Sequence, residues 1–334
     1  MNALVSGGAG FIGSNLVAAL LRDGHHVRVL DDLCSGYADN VPDDAELIVG
    51  SVADADAVLA AMDGCDVVFH QAARRSVIGS VEHPLRTDTA NVHGTLTILE
   101  MARQAGVRRV VSASSSSVYG GAAQMPTPES APLVPRSPYA VSKLTGEHYC
   151  RVYTELHGLE TVSLRYFNVY GPRQRPDSAY AAVIPLFIDA LRSGVRPVVH
   201  GDGLQSRDFT FISDAVAANL AAATAPAAVC AGHAYNVAGG RRSTLLELLD
   251  MLGRLLDVKP DPEHTEPRAG DVRASQADIT AAQNDLGYRP SVALEQGLDL
   301  TVDWFVNGAG ARSPREQGCR GRRYSLVLTP SARR

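Results

Sequence analysis

Short runs of apolar, β-branched residues alternate with amphipathic stretches through the first half of the chain. The runs with the length and composition of buried strands are Ala3–Ser6, Val27–Leu30, Glu46–Val49, Val67–His70, Val110–Ala113 and Thr161–Arg165. The stretches with helical spacing between them are Ser14–Asp23, Ala55–Met62, Thr89–Ala105 and Tyr139–His157. Strands and helices that alternate in this way predict an α/β fold with a doubly wound parallel sheet, covered by helices on both faces.

The alternation loosens after about Tyr170. The segment Gly171–Asp177 has the composition of a loop. The elements expected beyond it are a helix near Ala182–Ser193, a strand at Pro197–His200, a turn at Gly201–Gly203, a strand near Tyr235–Asn236 and a helix near Thr244–Leu256. This half predicts a smaller α/β lobe across the carboxyl edge of the sheet, where open α/β sheets bind their ligands.

Composition narrows the class of protein. With 334 residues, 45% of them hydrophobic and 20% charged, the chain is long enough for one large α/β domain or two smaller ones. It has no apolar run long enough to span a bilayer, and Met1–Val5 lacks the basic start of a signal peptide. We therefore expect a cytoplasmic protein without a membrane partner. The five scattered cysteines form no CxxC pair, which predicts neither a disulfide framework nor a metal site.

Charge is distributed unevenly along the chain. The net charge is −5, but residues 307–334 contain seven Arg and one acidic residue, so the remainder has 24 basic and 35 acidic residues and a net charge of −11. A chain without a global basic field is not expected to bind nucleic acid. The tail lacks periodicity and is rich in Gly, Ser and Arg, which predicts a flexible appendage.

A glycine-rich turn, Gly7–Gly13, joins the first predicted strand to the first predicted helix. Its GxxGxxG spacing lets the backbone approach a pyrophosphate, and the helix N-terminus offers free N–H groups to that anion. Asp31 ends the second predicted strand, where a carboxylate accepts hydrogen bonds from both adenosine ribose hydroxyls and repels a 2′-phosphate. Asp32 is the alternative for this role. The pattern predicts a site for NAD rather than NADP.

Tyr139 and Lys143 lie four residues apart at the start of a predicted helix and share one of its faces. An ammonium group beside a phenol, together with a nicotinamide cation, is expected to lower the pKa of the tyrosine toward neutrality. Such a tyrosine takes a proton from a sugar hydroxyl while hydride leaves the same carbon. The cluster Ser114–Ser117, at the end of a predicted strand, adds a hydroxyl that bridges to the substrate oxygen.

These features belong to a longer ordered set of motifs. The set is Gly7–Gly13, Asp31–Leu33, Val68–Ala73, Asn91–Thr95, Ser114–Gly120, Tyr139–Lys143, Arg165–Pro172, Ser206–Phe209 and Gly270–Val272. With these motifs, over about residues 1–305, the chain resembles the extended short-chain dehydrogenases, and within them the NAD-dependent sugar-nucleotide epimerases and dehydratases, closest to the UDP-glucose and UDP-GlcNAc 4-epimerases. The resemblance implies a Rossmann-type fold, an NAD cofactor, a nucleotide-sugar substrate and a homodimer formed through the helices Thr89–Ala105 and Tyr139–His157.

The chain is expected to divide into three parts. Residues 1–170 form an NAD-binding Rossmann domain, which also receives later segments at about residues 205–240. Residues 171–306 form mainly the substrate-binding lobe. Residues 307–334 form the Arg-rich flexible tail.

The resemblance also implies roles by position. Ser115, Tyr139 and Lys143 match the catalytic hydroxyl, the base and the partner of the base. The residues implied around the cofactor are Gly7, Gly10, Phe11, Ile12, Gly13, Asp31, Asp32, Ser51, Val52, Ala72, Ala73, Asn91, Tyr139, Lys143 and Tyr166. The residues implied around the substrate are Ser115, Ser116, Asn168, Val183, His200, Arg207, Arg268 and Ser275. Ser51 stands where the family often has an adenine-binding Asp, which leaves the Val52 backbone or Asp54 for that contact.

The residues after the catalytic hydroxyl favour one reaction. Dehydratases of the family carry Asp-Glu at the positions of Ser116 and Ser117, and UDP-glucuronate decarboxylases carry Ser-Glu. The neutral Ser-Ser pair favours 4-epimerisation, an isomerase reaction in which hydride moves to NAD⁺ and returns to the other face of a 4-keto sugar. The small residue Ser275, seven past Arg268, and the run Tyr180–Pro185 predict that UDP-GlcNAc is accepted alongside or instead of UDP-glucose.

Three other functions stay open at this point. The chain would be a UDP-glucuronate 4-epimerase if Arg173 or Arg175 bound a C6 carboxylate. It would be an NDP-sugar 4,6-dehydratase if the acid came from elsewhere. A non-catalytic NAD-binding regulator is disfavoured, because such proteins typically lose the tyrosine or lysine that this chain retains.

Overall fold

The computed structural model describes residues 1–121, 124–174, 182–267 and 272–308, and the backbone of Ser325–Leu326. The strands are β1 (Asn2–Ser6), β2 (His26–Asp31), β3 (Glu46–Val49), β4 (Val67–His70), β5 (Arg109–Ser115), β6 (Glu160–Tyr166), β7 (Val169–Tyr170), β8 (Val198–His200), β9 (Ser206–Asp208), β10 (Thr210–Phe211), β11 (His233–Val237), β12 (Arg242–Thr244), β13 (Glu263–Thr265) and β14 (Ser325–Leu326). The α-helices are α1 (Phe11–Arg22), α2 (Ala55–Ala61), α3 (Val77–Glu82), α4 (Pro84–Asp88), α5 (Gly94–Gln104), α6 (Pro138–His157), α7 (Val183–Arg192), α8 (Ile212–Thr224), α9 (Ala227–Cys230), α10 (Leu245–Leu255) and α11 (Leu294–Val306).

The main sheet has the strand order β11-β6-β5-β4-β1-β2-β3-β14, and all neighbouring strands run parallel. Every residue of β4 is buried, because helices cover both faces of the sheet. Side chains of α1 and α8 pack on one face, and those of α2, α5 and α6 pack on the other. The predicted α/β fold with a doubly wound parallel sheet is confirmed.

The strand order reverses beside β1. From β1 the chain continues to β2 and β3 on one side, and β4, β5 and β6 extend the sheet on the other. The carboxyl ends of β1 and β4 are therefore followed by loops that diverge to opposite sides, which opens a crevice between them. Gly7–Gly13 follows β1, and Gln71–Ala73 follows β4.

The second half adds small two-stranded pairings and a separate apolar cluster. β10 pairs with β7 and β13 pairs with β8 in parallel, and β12 pairs antiparallel with β9. Helices α7, α10 and α11 bury their apolar faces together, through residues such as Phe187, Leu252 and Phe305. By contrast, β11 extends the main sheet and α8 packs on it.

The predicted elements agree with the structure closely, with two kinds of difference. The strands Glu46–Val49 and Val67–His70 have the predicted bounds. The predicted helix Thr89–Ala105 instead begins with a π-helical turn at Thr89–His93 and continues as α5. Helices α3, α4, α8, α9 and α11 and the short strands β7, β9, β10, β12 and β13 were not predicted. The proposed flexible tail lies outside the described residues, apart from the backbone of β14, which pairs with β3.

Candidate active site

The loop between β1 and α1 is packed too tightly for side chains. Gly7 has a φ of +73°, and a Cβ there would lie 2.6 Å from the backbone nitrogen of Ala72. A Cβ at Gly13 would lie 2.1 Å from the carbonyl oxygen of Gly7. No side chain caps the N-terminus of α1, which starts after Gly10. The first-turn N–H groups of α1 thus remain available for an anion at the crevice.

Gly13→Ala is expected to weaken NAD binding at least about tenfold and to destabilise the fold by about 1–3 kcal/mol, since the new methyl group displaces the Gly7 backbone. Gly146→Ala on α6 is the control, because its Cβ would meet only Thr95 at 3.6 Å. Alanine there should stabilise the helix by about 1 kcal/mol. Calorimetric NAD titration and urea unfolding measure both effects. Unchanged NAD affinity in Gly13→Ala would contradict this role of the loop.

The residues expected to bind adenosine lie together at one end of a cavity, which is lined there by Asp31, Asp32, Ser51 and Val52. Asp31 accepts hydrogen bonds from the backbone of Ala9 at 2.9 Å and of Leu33 at 2.8 Å. A carboxylate has about four acceptor positions, so Asp31 keeps capacity for ribose hydroxyls. Burial raises the pKa of Asp31, against the lowering by these two backbone donors.

Asp54, one of the alternatives for the adenine contact, caps a helix and is not among the described residues that line the cavity. Its Oδ1 accepts from the backbone of Asp56 at 3.1 Å and of Ala57 at 3.2 Å, which caps the N-terminus of α2. Ser51 Oγ accepts from the backbone of Ala53 at 3.2 Å. Of the two alternatives for the adenine contact, Val52 is the one that lines the cavity.

Ser115, Tyr139 and Lys143 line the other end of the same cavity. Ser115 ends β5, and its hydroxyl lies near enough to the Tyr139 phenol to lower the pKa of that phenol. Ser115 Oγ also accepts from the backbone of Ser117 at 3.2 Å. The Lys143 ammonium donates to the carbonyl of Ala113 at 2.7 Å. The hydroxyl, the phenol and the ammonium group are therefore brought together as the sequence predicted.

The expected lowering of the pKa of Tyr139 includes the effect of a bound nicotinamide cation, and in the chain without it burial acts in the opposite direction. Burial raises the pKa of Tyr139, while the hydrogen bond with Ser115 and the charge of Arg75 lower it. The Lys143 ammonium donates to the Ala113 carbonyl. Burial lowers the pKa of Lys143 itself to about 8.

Helix α6 is fixed at the end that carries the catalytic pair. Ser137 caps its N-terminus by accepting from the Ala140 backbone at 3.1 Å, and Pro138 occupies its first turn. Ser80 Oγ, on α3, accepts from the Tyr139 backbone at 3.1 Å. These contacts set the position of Tyr139 relative to β5.

Asn91 lies behind the cavity, and its side-chain amide is hydrogen-bonded within the protein. Its Oδ1 accepts from the Arg74 backbone at 2.7 Å, and its Nδ2 donates to the Arg74 carbonyl at 3.1 Å and to Ser142 Oγ at 2.9 Å. Asn91 is 2% exposed. It thus ties the loop after β4 to α6.

Glu147 continues the face of α6 that carries Tyr139 and Lys143. Its carboxylate pairs with Arg165 on β6 at 2.7 Å, and the two side chains are 7% and 5% exposed. Ser114 Oγ donates to the same carboxylate. The pair joins α6 to the ends of β5 and β6, from which the site is built.

Tyr166 lines the cavity through a network that the sequence analysis did not identify. Asn219 Nδ2 donates to the Tyr166 hydroxyl at 2.8 Å, and Gln71 Nε2 donates to it at 3.2 Å. Gln71 also donates to Asn219 Oδ1 at 2.9 Å. The sequence feature that could have indicated this network is Asn219, a single Asn in the alanine-rich stretch that forms α8.

The residues predicted around the substrate occupy several elements. Asn168 lines the cavity at the end of β6, with a φ of 37°, and donates to the Asp208 carbonyl at 2.9 Å. Ser115 ends β5 and Ser116 follows it. The remaining described ones belong to the second half of the chain, where Val183 begins α7, His200 ends β8, Arg207 lies in β9 and Ser275 follows Ala274. Ser275 Oγ is buried and receives no hydrogen bond from the described residues. Arg268 lies outside the described residues.

Arg173, which the glucuronate alternative left open above requires, lines the cavity with one nitrogen already bound to the protein. Its Nη1 donates to the Ser14 carbonyl on α1 at 2.7 Å. Burial lowers its pKa. The guanidinium is therefore bound to the cofactor helix. Arg175 lies outside the described residues.

The carboxylates that line the cavity lie at one of its ends. Among the described residues that line it, the carboxylates are Asp31 and Asp32, at the adenosine end. The described part of the chain contains no cluster of His, Cys, Asp or Glu that would hold a metal ion. In the same part, no helix has the length and apolar character needed to cross a membrane.

The uncapped helix, the acidic ribose end and the Ser–Tyr–Lys group together fit a dinucleotide.

Comparison with known proteins agrees with this geometry. Residues 3–238 match the NAD dependent epimerase/dehydratase family. A UDP-glucose 4-epimerase of Mycolicibacterium smegmatis is 42% identical over 314 residues, which cover 92% of this chain and 99% of the relative. A UDP-glucose 4-epimerase of Thermotoga maritima, solved with UDP-glucose, superposes with a TM-score of 0.88 at 37% identity, covering 92% of this chain and 99% of that one.

A UDP-N-acetylglucosamine 4-epimerase of Methanobrevibacter ruminantium, solved with UDP-N-acetylmuramic acid, superposes with a TM-score of 0.87 at 38% identity, covering 91% of this chain and 98% of that one. Similar structures have been solved with NAD bound, one of them together with UDP-glucuronic acid. NAD is the cofactor that the cavity fits. By its motifs, its fold and these matches, the chain is an enzyme of the NAD dependent epimerase/dehydratase family.

Proposed function

We propose that the enzyme interconverts C4 epimers of a UDP-sugar through a transient 4-keto sugar. One observation carries the proposal: Ser115, Tyr139 and Lys143 meet in the cavity, and its described lining has no carboxylate near them. Removal of a C6 hydroxyl needs a carboxylic acid or another proton donor beside the sugar. Ser116 and Ser117 offer only neutral hydroxyls there, which supports epimerisation over dehydration.

Ser115, Tyr139 and Lys143 have separate roles in the proposed proton transfer. Tyr139 takes the proton from the sugar O4 as general base, and Ser115 holds that oxygen through its hydroxyl. Lys143, fixed on the Ala113 carbonyl, provides a positive charge below its pKa of about 8. Bound NAD supplies the hydride acceptor at C4. Because burial raises the pKa of Tyr139, the positive charge of the bound nicotinamide would be the main factor that lowers this pKa in the proposed reaction.

The sugar we propose is glucose or N-acetylglucosamine. The resemblance to the family places the small residue Ser275 beside the sugar, which supports acceptance of a 2-acetamido group, and its buried hydroxyl has no partner among the described residues. The similar UDP-glucose and UDP-N-acetylglucosamine 4-epimerases support both sugars. UDP-glucuronate is the second candidate, favoured by a similar chain solved with UDP-glucuronic acid, although Arg173 is directed to α1.

Proton NMR of UDP-glucose, UDP-GlcNAc and UDP-glucuronate, each incubated with the enzyme without added NAD, tests the proposal. A mixture of C4 epimers from the glucose or the N-acetylglucosamine substrate is expected, and the initial rates rank the sugars. If only UDP-glucuronate gave C4 epimers, the proposed sugar would be wrong and the proposed reaction would stand. A 4-keto-6-deoxy product would overturn the reaction itself.

We also propose that two copies pair through α4 and α6. Val141, Val152 and Leu156 are spaced by 11 and 4 residues, so they share one face of α6, and they are exposed, Leu156 by 72%. Leu85, on the adjacent α4, is 82% exposed. Apolar side chains grouped in this way are typical of a subunit interface. A second copy, with the same face, is the occupant we propose.

Sedimentation velocity of the unmodified enzyme is expected to give a dimer, and the Leu85→Glu, Leu156→Glu double variant a monomer. Two buried carboxylates at such an interface would cost several kcal/mol, or more than about 100-fold in dimer affinity. Leu59→Glu, at an exposed position of α2, should leave the dimer intact. A monomeric unmodified enzyme at micromolar concentration would contradict the proposal.

A further inference from the structure

The Arg-rich tail, residues 307–334, lies beyond every motif that the chain shares with its family, the last of which is Gly270–Val272. The similar Mycolicibacterium smegmatis enzyme is matched over 99% of its length by 92% of this chain, so part of this chain has no counterpart there. The proposed reaction uses no residue of the tail. A role for the tail must therefore come from its own contacts and charge.

One stretch of the tail is part of the main sheet. The backbone of β14 pairs in parallel with β3, in a register that joins Ser325 to Ile48 and Leu326 to Val49. Among the described residues, the sheet ends at β14 on this side and at β11 on the other. An uncovered edge strand presents a row of N–H and C=O groups on which another chain can pair. On the β3 side, the tail strand covers these groups.

The charge around β3 is complementary to that of the tail. Residues 29–73, which include β3 and the segments on both sides of it, contain ten acidic residues and no Lys or Arg. Residues 307–334 contain seven Arg and one acidic residue. Glu46, the first residue of β3, and Asp44, in the loop before it, are both exposed. The attraction between such charges acts over about 8 Å at physiological salt, so it favours arginines close to β14.

The register indicates which arginines of the tail these are. Arg322 and Arg323 stand three and two residues before Ser325, and three residues of chain span at most about 10 Å. Because β14 runs parallel to β3, the residues before Ser325 lead toward the start of β3, where Glu46 lies two residues before the first paired position. Glu46 already pairs with Arg28 on β2 at 3.1 Å. A tail that continued in this register would bring Arg323 to the other side of Glu46.

We propose that the Arg-rich tail docks on the edge of its own main sheet, with β14 as the added strand and with Arg322 and Arg323 against the acidic start of β3. The docked tail covers the edge, so that the sheet does not pair with the edge of a second copy. The proposal concerns the tail alone. It is independent of the sugar and of the reaction proposed above.

Hydrogen exchange of the full chain at low ionic strength tests the docking. The N–H groups of β3 that point away from β2 are protected only while the tail is docked, and docking for about nine-tenths of the time slows their exchange about tenfold. The double variant Ser325→Pro, Leu326→Pro removes both N–H donors of the tail strand. Exchange in β3 is expected to become about tenfold faster in this variant. Exchange in β11, at the opposite edge, is the control and should not change.

A second pair of variants tests the contribution of charge. Arg322→Glu, Arg323→Glu should speed exchange in β3 by about fivefold, because the attraction to the acidic start of the strand becomes repulsion. Arg333→Glu, Arg334→Glu reverses the same amount of charge farther from Glu46 and should change the exchange rate by less than about twofold.

Three results would overturn the proposal. Equal exchange in β3 of the unmodified enzyme and the proline variant would show that the tail does not dock there. Equal effects of the two charge reversals would refute the placement of Arg322 and Arg323. Protection of β3 that rises with protein concentration would place the tail on a second copy. A failure to epimerise UDP-sugars would leave all three measurements unaffected.

Discussion

Tyr139→Phe is expected to lower the epimerisation rate by about 10³-fold and to leave NAD binding within about twofold of the unmodified enzyme. The substitution removes the phenolic oxygen that lies beside the Ser115 hydroxyl and keeps the ring that lines the cavity. Without that oxygen the sugar O4 has no base in position. Progress is followed by proton NMR of the UDP-sugar, and NAD binding by calorimetry.

Tyr153→Phe is the matched control for this change. It removes a hydroxyl from the same helix, where Tyr153 donates to Glu100 on α5 at 3.1 Å. Its rate should stay within about twofold, because the hydroxyl does not line the cavity. If Tyr139→Phe retained a rate comparable to that of Tyr153→Phe, the proposed proton transfer would be refuted.

Glu147→Gln is expected to lower the free energy of unfolding by about 3 kcal/mol. The substitution leaves the Arg165 guanidinium buried without an anion, at 5% exposure of its side chain. Arg165 keeps its hydrogen bonds to the Tyr119 hydroxyl at 2.7 Å and to the Glu129 carbonyl at 3.1 Å, but neither carries charge. Urea unfolding, with the slope compared between variants, measures the change.

An exposed ion pair on the same helix provides the comparison for Glu147. Arg151 and Glu155 lie 3.0 Å apart at i,i+4, with side chains 64% and 57% exposed. Glu155→Gln should change the unfolding free energy by no more than about 0.5 kcal/mol, because solvent screens the pair. Equal effects of Glu147→Gln and Glu155→Gln would mean that the buried pair does not hold α6 to β6.

The fold and the catalytic group were predictable because they depend on local pattern. Strand-helix alternation, the spacing of Gly7–Gly13 and the four-residue spacing of Tyr139 and Lys143 are all visible along the chain. The sequence does not show which partner each side chain binds. Lys143 donates to the Ala113 carbonyl and Asp54 caps α2, and both depend on neighbours set by the packing.

Contacts between distant segments were missed for the same reason. Asn219 reaches Tyr166 across 53 positions of sequence, and Arg173 reaches Ser14 across 159. Such pairs join elements whose relative placement is decided by the sheet order rather than by local spacing. The pKa of Tyr139 depends on burial, which only the packed structure supplies.

The most direct test of the proposed reaction follows the hydrogen at C4. The enzyme is incubated with UDP-glucose or UDP-GlcNAc that carries deuterium at C4, and the product is read by NMR and mass spectrometry. We expect the C4 epimer with the deuterium retained at C4, since the hydride leaves and returns to the same carbon. Deuterium found at C6 of a 4-keto-6-deoxy sugar would show dehydration and would contradict the account.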